Sequence, residues 1–276
     1  RFQTIDGFGA SFTDSSAYLM NQILSPDDRK SLMTALFDTT EGIGLKFLRN
    51  PMGSSDYARF FYSYNDLAKG DTDFDLKKFS IAHDEQDIIP LLKEALAINP
   101  NIKIMGSPWS APGWMKTTGE MIGGELREDC YEVFADYFIR YIQDYAKQGI
   151  SIYAISPQNE PLYVPPHYAG MGMSAEAQST FIAQHLGPAL EKTNANVKLF
   201  CYDHNWDGYA YAQNILASEA GKYIDGVAWH WYGGKPSAQT TVYKQFPKEV
   251  HVTEASGGEW IPPFDNAFSA VMTNGI

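Results

Sequence analysis

Residues 152–161 of this 276-residue chain have the sequence IYAISPQNEP, and the fold prediction starts from this stretch. A short apolar run over residues 152–157 passes directly into a polar segment that contains Glu160. A short apolar run bounded by turn residues is typical of a buried strand in a parallel sheet. Since α/β barrels build their active sites at the C-terminal ends of such strands, residues 158–161 are where function is expected.

The same arrangement occurs seven times along the chain, and stretches of helical periodicity separate the runs. The predicted strands are residues 5–12, 45–51, 102–108, 152–157, 197–202, 226–231 and 249–253. Alternating strands and helices without a break in composition predict one α/β domain over residues 1–276, namely a (β/α)₈ TIM barrel. An eighth strand is not evident before Ile276. Residues 271–276 are one place for its start, although residues 264–272 have a helical pattern.

One helix and the boundaries of two others are well marked in the sequence. Aromatic and apolar side chains recur every three or four residues from Tyr131 to Tyr145, which predicts a helix with one buried face. Ser25 followed by Pro26 is typical of a helix start, and Asn99 followed by Pro100 predicts the end of the helix before the third strand.

Composition excludes several classes of function. The net charge of -12 opposes binding to nucleic acid or to an anionic membrane, so a neutral ligand is expected. No run of 18 or more apolar residues predicts a membrane span, and the six histidines show no compact metal-ligand spacing, so no metal is predicted. Cys130 and Cys201 are expected to be free and packed. A secreted or extracytoplasmic location is expected, and the oligomeric state is left open.

Two glutamates at predicted strand ends form the candidate catalytic pair. Glu160 follows the fourth strand and Glu254 follows the seventh. A retaining β-glycosidase needs one carboxylic acid to protonate the leaving oxygen and one carboxylate to attack, roughly 5–5.5 Å apart. A single strand-end glutamate is structural about as often as it is functional. Two of them, with Asn159 and a His-Trp-Tyr cluster at the intervening strand ends, favour catalysis.

The neighbours of the pair suggest how its charges are set. Arg49 and the hydroxyl of Tyr232 are expected to stabilise a carboxylate on Glu254, and the charge of Glu254 is expected to raise the pKa of Glu160. Aromatic rings at strand ends can stack on a sugar face. The tryptophans at such positions are Trp109, Trp114, Trp206 and Trp231. Each is about as frequently a packing residue, and Asp56 can equally be a turn residue or a ligand for sugar hydroxyls.

At these residues the chain resembles glycoside hydrolase family 30, which includes glucosylceramidases and endo-β-1,6-glucanases. The resemblance covers nearly the whole chain. The matching segments are GFGASFTD at 7–14, GIG at 42–44 with Arg49 and Asp56, SPW at 107–109, NEP at 159–161, HWY at 230–232 and TEA at 253–255.

The resemblance implies Glu160 as acid/base and Glu254 as nucleophile, with no cofactor. It further implies that Asn159 binds the sugar 2-hydroxyl, that Arg49 and Tyr232 support the nucleophile, and that the remaining predicted substrate-binding residues line the sugar site. Those residues are Asp56, Trp109, Asn205, His230 and Trp231. The family also carries an eighth strand and a β-sandwich side domain, neither of which is recognised in this sequence.

Several functions remain open at this stage. The DHNW motif at residues 203–206 is closer to the glucanase form, which favours β-1,6-glucan slightly over β-glucosylceramide as the substrate. A xylanase-like or galactanase-like specificity ranks lower, because Arg49 is the one cation at the strand ends and is already assigned to Glu254. A barrel that binds carbohydrate without hydrolysing it is the remaining alternative.

Overall fold

A computed structural model of the chain describes residues 4–257. Its centre is a parallel sheet of seven strands that follow one another in chain order. The strands are β1 Gly9–Ala10, β2 Phe47–Pro51, β3 Lys103–Ser107, β4 Ala154–Ile155, β5 Lys198–Asn205, β6 Gly226–His230 and β7 Glu249–Glu254. Each lies within or overlaps a predicted strand. This sequential parallel order is that of a (β/α)₈ barrel, so the predicted fold class is confirmed.

Helices cover the outside of the sheet. They are α1 Asp14–Tyr18, α2 Pro26–Phe37, α3 Ile88–Ile98, α4 Tyr131–Lys147, α5 Ala175–Phe181, α6 Gly187–Lys192, α7 Tyr209–Ala217 and α8 Ser237–Gln245. Wider turns at Leu19–Ile23 and Ile182–Leu186 extend α1 and join α5 to α6. Short 3₁₀ turns lie at Gly113–Met115, Glu128–Cys130, Trp206–Gly208 and Glu219–Tyr223.

The predicted helix boundaries are confirmed. The Ser25 hydroxyl accepts a hydrogen bond from the Asp28 amide at 3.1 Å, and Pro26 is the first residue of α2. Helix α3 ends at Ile98, directly before Asn99. The apolar stripe of α4 is buried, including Phe134, Phe138 and Tyr145. These ends follow from local chemistry, since a cap or a proline acts on the few residues beside it.

Two apolar clusters hold the layers together. The larger lies between the strands and the helices, and a small one of Met105, Ala154, Phe200 and Ala228 fills the inside of the sheet. Cys130 and Cys201 are buried and free, as predicted. Within residues 4–257 no helix is both long and apolar enough to span a bilayer.

Strand β5 departs from its predicted extent. It continues to Asn205 instead of ending at Tyr202, and its pairing with β6 shifts between Tyr202 and His204. Tyr202 and Asp203 both have left-handed backbone, with φ of 77° and 59°. This is a bulge, which re-aims the side chains that follow it.

The predictions for the C-terminal segment lie outside the described residues. They concern the helix at 264–272 and a possible strand start at 271–276. That residues 1–276 form a single domain therefore stays a prediction.

Candidate active site

Polar side chains from the C-terminal ends of the strands meet at one end of the sheet. Arg49 lies on β2, Glu160 follows β4, Asp203 lies on β5, His230 ends β6 and Glu254 ends β7. Strands in parallel register bring their ends to the same edge, so residues as far apart as Arg49 and Glu254 come into contact. The candidate site is this group of side chains.

The two glutamates lie close together. Each offers a carboxylate oxygen within 4.8 Å of the other's. Both are accessible from the open end of the sheet, with side chains that are 15% exposed for Glu160 and 27% exposed for Glu254. A pair that is both adjacent and partly exposed can reach the two sides of one scissile bond.

Glu254 has the two partners that the sequence predicts. Arg49 donates from Nη1 to Oε2 at 2.9 Å, and the Tyr232 hydroxyl donates to Oε1 at 3.0 Å. The Tyr232 hydroxyl also lies 2.7 Å from Oγ of Ser256. Arg49 is almost fully buried, so its charge is little screened by water. These contacts place a cation on one carboxylate oxygen of Glu254 and a hydroxyl donor on the other.

Glu160 is bordered by two histidines. Nδ1 of His230 lies 3.0 Å from Glu160 Oε1, and Nε2 of His204 lies 3.8 Å from the same oxygen. Burial would raise the pKa of Glu160, but the hydrogen bond and charge of His230 hold that pKa below its ordinary value. The predicted raised pKa is therefore wrong for the unliganded site. Positive groups around Glu160, which are not adjacent to it in sequence, outweigh the effect expected from Glu254.

Three of the predicted sugar-binding residues cluster around Arg49 and Glu160. Arg49 donates from Nη2 to Oδ1 of Asn159 at 2.6 Å, and its guanidinium carbon lies 4.8 Å from the centre of the Trp109 ring. His230 contacts Glu160 as described above. Arg49 thus links the nucleophile candidate to the neighbour of the acid/base candidate.

Asn205 and Asp56 lie at the rim. The side-chain oxygen of Asn205 accepts the amide of Tyr232 at 3.1 Å, which fixes the loop after β6. Asp56 is exposed, so its carboxyl can accept hydrogen bonds from sugar hydroxyls.

The other tryptophans pack mainly as structural residues. Trp114 and Trp206 are buried in the main core, and the Trp114 ring nitrogen donates to Asn65 Oδ1 at 2.8 Å. Trp231 is half-buried and packs on the same core, and its ring centre is 6.3 Å from that of Tyr232. Alternation along β6 turns His230 inward and Trp231 outward. A stacking role for Trp231 stays a prediction.

The family model described as the glycosyl hydrolase family 30 TIM-barrel domain matches residues 5–263. The chain belongs to glycosyl hydrolase family 30. The family resemblance of the sequence motifs is thereby confirmed, and the chain is a glycoside hydrolase by family.

Relatives within family 30 are named for two different activities. The chain is 37% identical to an endo-1,6-β-D-glucanase of Neurospora crassa, a match that covers 92% of this chain and 54% of that protein. It is 34% identical to the lysosomal acid glucosylceramidase of Mus musculus, a match that covers 84% of this chain and 46% of that protein. The solved structure of an endo-β-1,6-glucanase superimposes with a TM-score of 0.89 at 33% identity, over 96% of this chain and 61% of that one. The chain thus spans about half the length of the curated relatives it matches.

Asp203 is the main member of this family 30 site that the sequence prediction missed. Phe200 points into the barrel, so strict alternation would turn Tyr202 inward and Asp203 outward. The bulge reverses this order, because Tyr202 packs in the outer core while Asp203 is fully buried in the site. The sequence did contain a signal for Asp203. An acidic residue directly after an apolar run is costly to bury without partners, so such a residue indicates either exposure or a set of bonding partners.

Glu160, His230 and Glu254 are also the group, within the described residues, whose geometry could hold a metal ion. A metal needs an imidazole with a free lone pair. In this family 30 site both nitrogens of His230 face carboxylates, and burial is outweighed by the charge of Glu254 and hydrogen bonds to Asp203 and Glu160, which raise its pKa to about 9. The protonated ring suits an ion pair better than a metal ligand.

Proposed function

We propose that the chain is the catalytic barrel of a retaining β-glucosidase or glucanase, with Glu160 as acid/base and Glu254 as nucleophile. The observation that carries the proposal is the separation of the two carboxylates, whose nearest oxygens lie within 4.8 Å. Retaining glycosidases place the two groups roughly 5–5.5 Å apart, whereas inverting enzymes leave roughly 6.5–9.5 Å for a water molecule. The spacing supports double displacement.

In the first step Glu254 attacks the anomeric carbon as the glycosidic C–O bond breaks. Glu160 gives its proton to the leaving oxygen, so the aglycone departs as a neutral alcohol. In the second step Glu160, now a carboxylate, takes a proton from water, whose oxygen bonds to the anomeric carbon and releases Glu254. Arg49 and Tyr232 stabilise Glu254 as its charge returns.

The residues around the pair are proposed to bind the sugar. Asn159, held by Arg49, presents its amide to the 2-hydroxyl, and Asp56 accepts hydroxyls at the rim. Trp109 and His230 form the walls of the glucose site. Asn205 acts through the loop that carries Tyr232, and Trp231 stays a weaker candidate.

β-1,6-Glucan is the proposed substrate of the whole protein. The Neurospora crassa endo-1,6-β-D-glucanase and the solved endo-β-1,6-glucanase support it, together with the DHNW motif at 203–206. β-Glucosylceramide is the second candidate. Leu162, Tyr163 and Val164 follow Glu160 in the chain and are exposed, so they offer an apolar surface for a lipid chain. An extracytoplasmic location is proposed with either substrate, supported by the lysosomal relative.

Azide rescue separates the roles of the two glutamates in the protein that carries this sequence. We expect Glu254→Gly to lose at least about a thousandfold in kcat/KM on an aryl β-glucoside, and azide to restore turnover as the α-glucosyl azide. Glu160→Gly should instead release the β-glucosyl azide, because azide then attacks the glycosyl-enzyme. The anomer is read by NMR.

The substrate and the controls are tested in the same series. Turnover of pustulan and of glucosylceramide in detergent compares the two aglycones, and Glu176→Gln, a change of an exposed glutamate, should leave both rates unchanged. Full activity in Glu254→Gly without azide would sink the mechanism. Faster turnover of glucosylceramide than of pustulan would reverse the order of the substrates.

A further inference from the structure

Asp203 joins the ends of five strands beneath the catalytic pair. Its carboxylate is fully buried and accepts five side-chain hydrogen bonds. The donors are Arg49 Nη2 at 2.9 Å, Ser107 Oγ at 2.8 Å, Ser156 Oγ at 2.5 Å, His230 Nε2 at 3.0 Å and Thr253 Oγ1 at 2.6 Å. A carboxylate with this many donors remains ionised, and Arg49 and His230 hold its pKa well below the usual range despite burial.

The charge of Asp203 determines the orientation of His230. An ionised carboxylate can only accept, so Nε2 of His230 must carry the hydrogen in this contact. The other nitrogen, Nδ1, then faces Glu160 Oε1 at 3.0 Å and Glu254 Oε1 at 3.9 Å. A proton on this side can therefore lie on Nδ1 or on Glu160, and the two positions are one hydrogen bond apart.

Asp203 also acts on the other side of the site. Nη2 of Arg49 donates both to Oδ2 of Asp203 and to Oδ1 of Asn159, and Nη1 of the same guanidinium donates to Glu254. Two fixed acceptors on Nη2 leave the planar group little freedom to turn. The support of Glu254 thus depends on Asp203 as well.

We propose that Asp203 is the positioning residue of both catalytic carboxylates, holding through His230 the proton that Glu160 delivers and through Arg49 the contact that supports Glu254. This rests on the proposed roles of Glu160 and Glu254. The Asp203 carboxylate bonds to neither glutamate side chain, so it acts on those side chains through His230 and Arg49.

The groups that face His230 determine the direction of the pH effect. The charged and titratable groups around His230 come from five strands. They are Arg49 on β2, Glu160 after β4, Asp203 and His204 on β5, Tyr232 shortly after β6, and Glu254 on β7. The His230–Glu160 pair keeps one proton up to alkaline pH because the negative groups outnumber Arg49. Removal of the negative charge of Asp203 makes that proton easier to lose.

The test is Asp203→Asn in the full-length protein, with kcat/KM followed against pH on an aryl β-glucoside. We expect the maximum to fall at least about tenfold and the alkaline limb to move to lower pH by about one unit or more. Thr253→Val removes one hydrogen-bond donor to Asp203 but leaves the charge of Asp203 in place. The alkaline limb of this variant should therefore stay within about a few tenths of a pH unit of the wild-type limb. Asp84→Asn is the matched control, because Asp84 is equally buried but bonded to tyrosine hydroxyls away from the site.

A folded Asp203→Asn protein whose alkaline limb is unmoved overturns the inference. If that variant does not fold, NMR of the wild-type protein gives a second readout. Nε2 of His230 should carry a hydrogen at neutral pH, and a hydrogen-free Nε2 there would equally overturn it. Activity in the Glu254 and Glu160 variants reports on the proposed function alone. If the Glu254 and Glu160 variants lose activity while the alkaline limb of Asp203→Asn is unmoved, only the role of Asp203 is refuted.

Discussion

Glu160 holds its place through a backbone conformation that few non-glycine residues adopt. Its φ is 46°, and its amide donates to the carbonyl oxygen of Asp203 at 3.0 Å, a residue whose own φ is 59°. Such conformations cost about 1–3 kcal/mol each and persist where surrounding contacts determine them. The hydrogen bond between the two residues couples the acid/base candidate to the bulge in β5, so the geometry of one depends on the other.

Arg49 contacts three acceptors from two nitrogens of one planar group, Nη1 to Glu254 and Nη2 to Asn159 and Asp203. We expect Arg49→Lys to fold and to lose about a hundredfold or more in kcat/KM, since the single nitrogen of an ammonium cannot reproduce this two-nitrogen geometry. Steady-state kinetics and thermal melting measure the two effects. Arg140→Lys, at a half-exposed site near Asp144, is the control and should keep full activity. Retained kcat/KM in Arg49→Lys would mean that a point charge suffices.

The long connection between β2 and α3 is tied to the helices by buried acidic groups. Asp84 accepts hydrogen bonds from Tyr64 on the same connection and from Tyr145 on α4, each at 2.6 Å. Asp14, in the first turn of α1, accepts two bonds from the Arg59 guanidinium at 2.8 and 2.9 Å. These contacts hold the connection against α1 and α4.

Asp14 should make stability depend on pH. Burial opposes its ionisation, but hydrogen bonds from Arg59 and His83 lower its pKa from 3.8 to about 2. A lowered folded-state pKa contributes stability above the unfolded value that is lost as the pH falls from about 4 to about 2. We expect Asp14→Asn to remove about 2 kcal/mol at neutral pH, with a smaller loss near pH 2.

Denaturant unfolding at several pH values measures this contribution of Asp14. Asp75→Asn is the control, because Asp75 and its partner Lys77 are both largely exposed and should contribute little. A deficit in Asp14→Asn that is equal at neutral and acidic pH would show that lost packing, and not charge, causes it.

The inside of the barrel changes character from one end to the other. At mid-depth it is apolar, and His251 stacks on Phe200 with ring centres 4.3 Å apart, while Lys198 and Glu249 form an ion pair at the N-terminal ends of their strands. Towards the C-terminal ends it is polar and centred on Asp203. The apolar part gains stability by burial, and the polar part keeps its charges only because each has partners. The position of the site in the molecule follows from this division.

The net charge of -12 gives a prediction about the substrate. A neutral glucan has no long-range interaction with this charge, so kcat/KM on pustulan should change less than about twofold between low and high salt. An oligosaccharide that carries uronic acids should be repelled, and its kcat/KM should rise with salt. The rates are measured at constant pH in buffers of different ionic strength. A strong salt dependence on pustulan would contradict a neutral substrate.

Local patterns in the sequence were enough to predict seven strands in order, the capped helix at Ser25 and the two glutamates at strand ends. A strand or helix is recognised by the period of its own side chains, and the polar residues that follow a barrel strand lie at the edge of the sheet where the site forms. The contacts of Arg49 and Tyr232 with Glu254 were also within reach, because their strand ends meet at one edge.

The tertiary structure alone decided the rest. The inward turn of Asp203 depends on a bulge against β6, and the lowered pKa of Glu160 depends on His230, 70 residues away. The packing of Trp206 and Trp231 depends on the main apolar core, whose members come from most of the described chain. Strand ends follow from neighbouring residues in the sequence, whereas side-chain direction at an irregularity, and the charge state of a buried group, depend on neighbours that only the folded chain brings together.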